Sequence, residues 1–342
     1  MRIGCKRPDL LIFAAVMVLV AAVTARAQGP TYDPGCAVPF ASIATTPDPF
    51  VECGNCGVVS ADPKATADSK AAHAAESKAK NNLCGDTTKK TVVDFAMLAD
   101  MQAKTGATVP SDRHTLRQFF AVGSQKIGEG SVVQLKAFVR EAHISDCDGG
   151  ETVNCKRTGP DVNDIHIPLA DPTVANSQKA DECNSVTAEM IPHFRPAAWS
   201  QIDVKTPVNN PVRITGQLFY DNSHHPCVKN ADGSFTKQLP ARISLWELHP
   251  VYQFDVCTET DASKCDIATD SVWVPYDQWV AKAGSVTQNT GKSFRSRCEK
   301  LKGTPSKTAG PTEPGQCPVM APAKPSTPGK TPKHKPAKKP GA

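Results

Sequence analysis

"RISLWELHPVYQFDV", residues 242 to 256, reads as one long strand. Its apolar set is Trp246, Leu248, Tyr252, Phe254 and Val256, and Glu247, His249, Gln253 and Asp255 share the opposite face. Successive strand side chains point to opposite sides, so one edge of this segment belongs to a core and the other carries polar chemistry.

Four similar runs lie upstream: "SVVQLKAFVREAHI" (131 to 144), "DIHIPL" (164 to 169), "SVTAEMI" (185 to 191) and "PVRITGQLFY" (211 to 220). In the second, Ile165, Ile167 and Leu169 share one side and leave Asp164 and His166 on the other. In the fourth, Val212, Ile214, Gly216 and Leu218 alternate with Arg213, Thr215 and Gln217. "PAAWSQIDV" (196 to 204), between the third and fourth, suits a short helix or tight connector. Five strands with a helical link at that point follow the order of the OB fold, a small Greek-key barrel. The expected class is mainly β: a five-stranded OB-like barrel with a helical N-terminal extension and a disordered basic C-terminal tail.

The division along the chain follows from composition. Residues 1–27 carry Arg2, Lys6 and Arg7, an apolar run and "ARA", the pattern of a signal peptide cleaved near Ala27. Export to the periplasm or beyond is expected, with no membrane span in the mature chain. Residues 28–128 form a Cys-containing, partly helical region; 129–257 the barrel; 258–302 an aromatic and helical segment packed on it. Residues 303–342 are rich in Pro and Lys and nearly free of large apolar groups, so they lack the burial that would offset ordering. Such a tail could contact acidic envelope polymers.

Charge narrows the partners. The net +5 includes +6 in residues 321–342 and +3 in residues 1–27, which leaves −4 for residues 28–320. An acidic body lacks the footprint of a nucleic-acid binder, so nucleic acid is not the expected partner and the ligand is left open. Twelve cysteines remain after Cys5 departs with the signal peptide, an even set that reads as disulfides in an oxidising compartment. Short spacing suggests Cys147 with Cys155 and Cys257 with Cys265; Cys317 in the tail would reach back to Cys298. "CGNC" at 53 to 56 has redox or zinc spacing but neither a βαβ context nor a second CxxC, and reads as structural.

N-terminal to the barrel, "DPKATADSKAAHAAESKAKNN" (62 to 82) looks helical, with Asp62 as cap and Pro63 in the first turn. A second helix is expected from Thr91, where "TVVD" matches a capping box, to Gly106, and a helical turn in "SDRHTLRQFF" (111 to 120). His73 and His114 read as surface residues. Trp273, Tyr276 and Trp279 in "DSVWVPYDQWVAKAG" (270 to 284) read as barrel packing rather than a stacking platform, and a helix runs on toward Cys298.

Two polar groupings stand out. "DNSHHPC" offers Asp221, His224, His225 and Cys227, but adjacent strand residues face opposite ways and no HExxH or paired CxxC supports a metal, so a loop stapled by Cys227 is the expectation. The stronger grouping is Asp164, His166, Glu189, Glu247 and His249, drawn from three strands, with His193 and Arg195 just beyond the third. Carboxylates and imidazoles on one barrel surface can hold a cation or trade protons. The alternative is the solvated face of a half-buried sheet. No cofactor or metal is required by any motif; His166 and His249 are the side chains that would hold one.

"NDIHIPL", "ECNSVTAEM", "PVRITGQLFYD" and "WELHPVYQFDV" together resemble a group of uncharacterised exported bacterial proteins with an OB-fold-like barrel, whose closing strand runs tryptophan, glutamate, aliphatic, histidine, proline. Trp246, Glu247, Leu248, His249 and Pro250 match it. The resemblance covers about residues 129 to 257 and implies the fold, with no catalytic residue carried over. The expected function is therefore a non-catalytic binding or envelope-associated module of open ligand, with a nuclease-like metal-dependent hydrolase as the alternative.

Overall fold

The computed structural model describes residues 79–80, 85–106, 113–145, 147, 158–193, 195–237, 240–282 and 292–302. The expected signal segment, "CGNC", His73, Cys155, Cys317, the basic tail and all of the expected 62–82 helical stretch except Ala79 and Lys80 lie outside them; Ala79 and Lys80 are helical.

Five strands close a barrel: β4 (Val132–Val139), β6 (Ile165–Ala170), β7 (Val186–Met190), β8 (Pro211–Tyr220) and β11 (Trp246–Cys257). Around the barrel the order is β4–β6–β7–β11–β8 and back to β4. Every neighbouring pair is antiparallel except β7 with β11, which run parallel with Leu248 level with Ala188. The first strand is long enough to close the ring because β4 pairs with β8 along its length and with β6 at Phe138 and Val139. It does not run unbroken to residue 144. Residues 140–142 step out of the ladder, the Arg140 side chain donates to the Ser177 and Ala180 carbonyls, and β5 (His143–Ile144) resumes on β6.

Alternation places the core where the sequence puts it for most strands. Ile165, Ile167, Leu169, Val212, Ile214, Leu218, Trp246, Leu248, Phe254 and Val256 are buried together. Tyr252 is the exception. The register of β11 on β8 slips between Leu248 and Val251 and again before Gln253, so Val251 enters the core in its place. Tyr252 turns to the other face, where its hydroxyl donates to Gln217 and accepts from the Gly85 amide. Pro250, at the slip, has no N–H for the ladder, and a bulge absorbs such a residue. Opposite the bulge, a Cβ on Gly216 would meet Leu248 Cβ at 3.0 Å and the Pro250 carbonyl oxygen at 3.1 Å. Gly216→Ala is therefore expected to lower stability by about 1–3 kcal/mol in urea unfolding through overpacking; an unchanged midpoint would show that β11 is free to move away.

Outside the barrel, three expectations change. Thr91–Val93 is not the first turn of a helix but a strand, β1, parallel to β4, as its β-branched residues favour. Asp94, not Thr91, caps helix α1 (Phe95–Thr105), its carboxylate accepting from the Met97 amide at 2.8 Å. Among the described residues of 111 to 120 Arg113–Leu116 forms a 3-10 turn, and Phe120 opens the hairpin β2 (Phe120–Val122) and β3 (Gln125–Ile127). Downstream, the aromatic segment packs as expected: β12 (Trp273–Pro275) adds to β11, and helix α2 (Tyr276–Lys282) sets Tyr276 against Phe254 and Trp279.

Among the described residues three cysteine pairs are joined, with Cα separations of 5.0, 5.5 and 6.0 Å, all inside the disulfide range. Cys257–Cys265 is the local staple that spacing suggested. Cys183–Cys227 ties the turn before β7 to the loop after β8. The pairing of Cys147 with Cys155 is overturned: helix α3 (Lys292–Leu301) returns beside β5 and brings Cys298 to Cys147, so Cys298 is not Cys317's partner either. Among the described residues no helix is long and apolar enough to cross a membrane.

Candidate functional site

Strand register brings the polar set together. His166 on β6 stands directly opposite Glu189 on β7 and, on its other side, opposite His143 on β5. Because β11 runs parallel to β7 with Leu248 beside Ala188, its outward residues Glu247 and His249 fall alongside Glu189. Asp164, Glu189, Glu247 and His249 are all buried, and the His166 side chain is 17% exposed. This face is consequently not a solvated one, and Lys80 lies beside it, 5.8 Å from the centre of the Phe219 ring. Phe219 in turn lies 5.3 Å from the His249 ring.

The contacts form a continuous chain. His166 Nε2 is 3.4 Å from Asp164 Oδ2 and 3.3 Å from Glu189 Oε1. The other Glu189 oxygen, Oε2, is 2.7 Å from His249 Nδ1, and that nitrogen is 3.8 Å from Glu247 Oε2. These contacts are ion pairs, His166 facing Asp164 and Glu189, and His249 facing Glu189. Asp164 Oδ2, Glu189 Oε2, Glu247 Oε2 and both His249 nitrogens are buried without a hydrogen-bond partner among the described residues. Such atoms are costly to bury unless something sits among them.

Positioning groups fix the ligand ends. Ser145 donates to Asp164 Oδ1, and the Ser145 amide donates to the Asp164 carbonyl at 3.1 Å. The Arg195 guanidinium clamps the neighbouring backbone, donating to the Asn163 and Met190 carbonyls at 2.6 and 3.1 Å. Beyond Glu247, buried Arg242 donates to its Oε1 and reaches Asp221 Oδ2 at 3.4 Å. Asp221 also contacts His224, which is 31% exposed, and accepts from the Ser223 amide at 2.9 Å. The "DNSHHPC" loop is thus stapled by Cys227, as expected, while His225 is exposed.

Electrostatics follow from this packing. Burial pushes the Glu189 carboxyl up, but positive charge on His166 and His249 outweighs it and holds the group well below the usual range. Asp164 is held down in the same way, burial opposing and His166 prevailing. His143 is pushed down to about 4 by burial and then by His166. Asp221 is also held far below the ordinary carboxylate range, burial being outweighed by His224, Lys80 and Arg242. Its folded value lies below the unfolded value near 3.9, so its contribution is present above about pH 4 and is lost on acidification. His224→Ala removes the foremost of these supports. Its acid-unfolding midpoint, followed by circular dichroism, is expected to move to higher pH, and an unmoved midpoint would remove His224 from this role.

Sequence reasoning placed Asp164, His166, Glu189, Glu247 and His249 on one surface, and all five meet. It missed Arg242, Ser145, His143 and Lys80. Arg242 lies outside the regular strand, and the pairing of β5 with β6 depends on a break that no periodicity marks. His193 is buried three residues beyond the end of β7. Two sets of three residues bring one ligand atom each within 4.8 Å of one another: Asp164, His166 and Glu189; and Glu189, Glu247 and His249. No protein-family model matches the chain, and neither a curated protein nor a solved structure matches it.

Proposed function

We propose that this chain is an exported, disulfide-tied barrel of the OB type that serves as a divalent-cation-dependent binding module, with its ion at the Asp164/His166/Glu189/Glu247/His249 cluster. The OB assignment rests on the strand order, in which the first strand pairs with the second and fourth and the parallel contact joins third to fifth. Export is supported by the signal-like leader and is compatible with the cysteine pairs.

One observation carries the cation: carboxylate oxygens and an imidazole that are buried, unpartnered and turned toward each other. Four buried carboxylates, Asp164, Glu189, Asp221 and Glu247, are opposed by three fixed cations, Arg195 beside Asp164, Lys80, and Arg242 beside Asp221 and Glu247. A dication supplies the missing charge without a donor proton, and imidazole with carboxylate suits zinc or manganese. Protonation of both histidines is the competing source of positive charge, which a metal assay separates from it.

Protein purified without an affinity tag should contain a stoichiometric divalent metal by elemental mass spectrometry, reduced by His249→Ala and by His166→Ala while the circular dichroism spectrum is kept. Metal-free protein that stays metal-free after incubation with zinc or manganese would overturn the proposal.

Metal-dependent hydrolysis is the second reading, favoured by the position of His166. It is the part of the cluster that reaches solvent, so an ion on Asp164, His166 and Glu189 could keep a water in an open position.

A further inference from the structure

We infer that Glu189 bridges two divalent cations, one completed by Asp164 and His166 and the other by Glu247 and His249. The inference rests on the cation reading above and adds the number of ions and the role of each ligand.

Geometry sets the number. Protein ligands to zinc lie about 2.0–2.2 Å from the ion, so two atoms on one ion are at most about 4.4 Å apart. The five residues do not make one set within 4.8 Å; they make two sets of three with Glu189 in common. Glu189 faces both ways. Its Oε1 lies 3.3 Å from His166 Nε2 and its Oε2 lies 2.7 Å from His249 Nδ1, one oxygen for each imidazole. Neighbouring ligands on one ion are about 3.0 Å apart in octahedral and about 3.4 Å apart in tetrahedral geometry, given bonds near 2.1 Å. Carboxylate-bridged pairs of this kind hold their ions about 3.5–4 Å apart.

The acidic cluster does not stand alone in this argument. Glu189 Oε2, Glu247 Oε2, Asp164 Oδ2 and His249 Nδ1 are buried atoms without hydrogen-bond partners among the described residues, distributed over both sets. A single ion in one set would leave Asp164 Oδ2 unsatisfied, and in the other Glu247 Oε2 and His249 Nδ1.

Charge sets the order of filling. Four buried carboxylates against Arg195, Arg242 and Lys80 leave a single net negative charge, which the first dication already offsets. A second exceeds it, so it binds with a hydroxide, formed when a metal-bound water releases its proton to solvent, or with another anion. Loading should therefore be stepwise, the second ion weaker and favoured by rising pH.

The probe is manganese(II) chloride, titrated into the chelator-stripped full mature chain and followed by electron paramagnetic resonance and by bound-metal count. Two ions per chain are expected, with the isolated six-line signal at low loading giving way to a spin-coupled spectrum as the second enters. His249→Gln and His166→Gln should each hold one ion and never show coupling. One ion per chain in the unaltered protein, uncoupled at saturation, would overturn the bridge and leave the cation proposal standing. No bound ion would overturn both. The coupled spectrum of the unaltered chain needs no variant to fold, so a variant that unfolds leaves the test intact.

Discussion

Replacing Arg242 with alanine is expected to destabilise the folded chain by about 3–5 kcal/mol, the cost of leaving buried charge without its partner. Arg242 is almost completely buried, donates to Glu247 and lies 3.4 Å from Asp221, and both carboxylates are themselves buried. Losing the guanidinium strands two anions in a low dielectric, whereas removing an exposed ion pair would cost at most about 1 kcal/mol. The variant also tests the cation account. A dication beside Glu247 gains attraction when Arg242 is gone, so added manganese should recover part of the loss through preferential binding to the folded state. Urea unfolding with and without manganese measures both effects. A loss below about 1 kcal/mol would mean that Glu247 and Asp221 are not charged in the folded chain.

Trp246→Ala has an expected cost of similar size, about 3–5 kcal/mol, from a different source. Trp246 is fully buried at the start of β11, with ring centres 5.2 Å from Tyr220 and 5.6 Å from Phe119. Its indole N–H donates to Thr105 Oγ1 at 3.0 Å, so one side chain joins barrel, β2 hairpin and α1. Alanine leaves a cavity and an unpaired hydroxyl acceptor together. Metal binding should change less than stability does, because Glu247 and His249 leave β11 on the opposite face. If Trp246→Ala unfolds at the urea concentration of the unaltered protein, the hub described here is not one.

Much of this architecture was legible before any coordinates, and for identifiable reasons. Strict alternation in β6 and β8 fixed which residues enter the core, and the same parity delivered Asp164, His166, Glu247 and His249 to one surface. What alternation cannot express is a change of register. The bulge around Pro250 exchanged Tyr252 for Val251, and nothing in the apolar pattern distinguishes the two. The capping box at Thr91 failed for a related reason: its β-branched residues were taken up by an edge pairing with β4, and Asp94 became the cap. Cys147 was assigned by distance along the chain, while the partner came from α3, 151 residues away.

The site was legible as a surface but not as a buried one. Whether an outward strand face meets solvent depends on what packs over it, and Lys80, Arg242 and Phe219 are brought there by tertiary structure. Burial changes the chemistry: the same five side chains on a wet sheet would be an ordinary polar face, whereas here Asp164, Glu189, Glu247 and His249 are withdrawn from water and positive charge nearby, from an ion or from the imidazoles, offsets that cost.

The measurement that meets this claim most directly is anomalous diffraction at the zinc edge from crystals of untagged, zinc-loaded protein. The account predicts anomalous peaks about 2.0–2.2 Å from the two Glu189 oxygens, one toward His166 and one toward His249. A map without peaks there at saturating zinc, with Glu189 simply hydrogen-bonded to two protonated histidines, would contradict it.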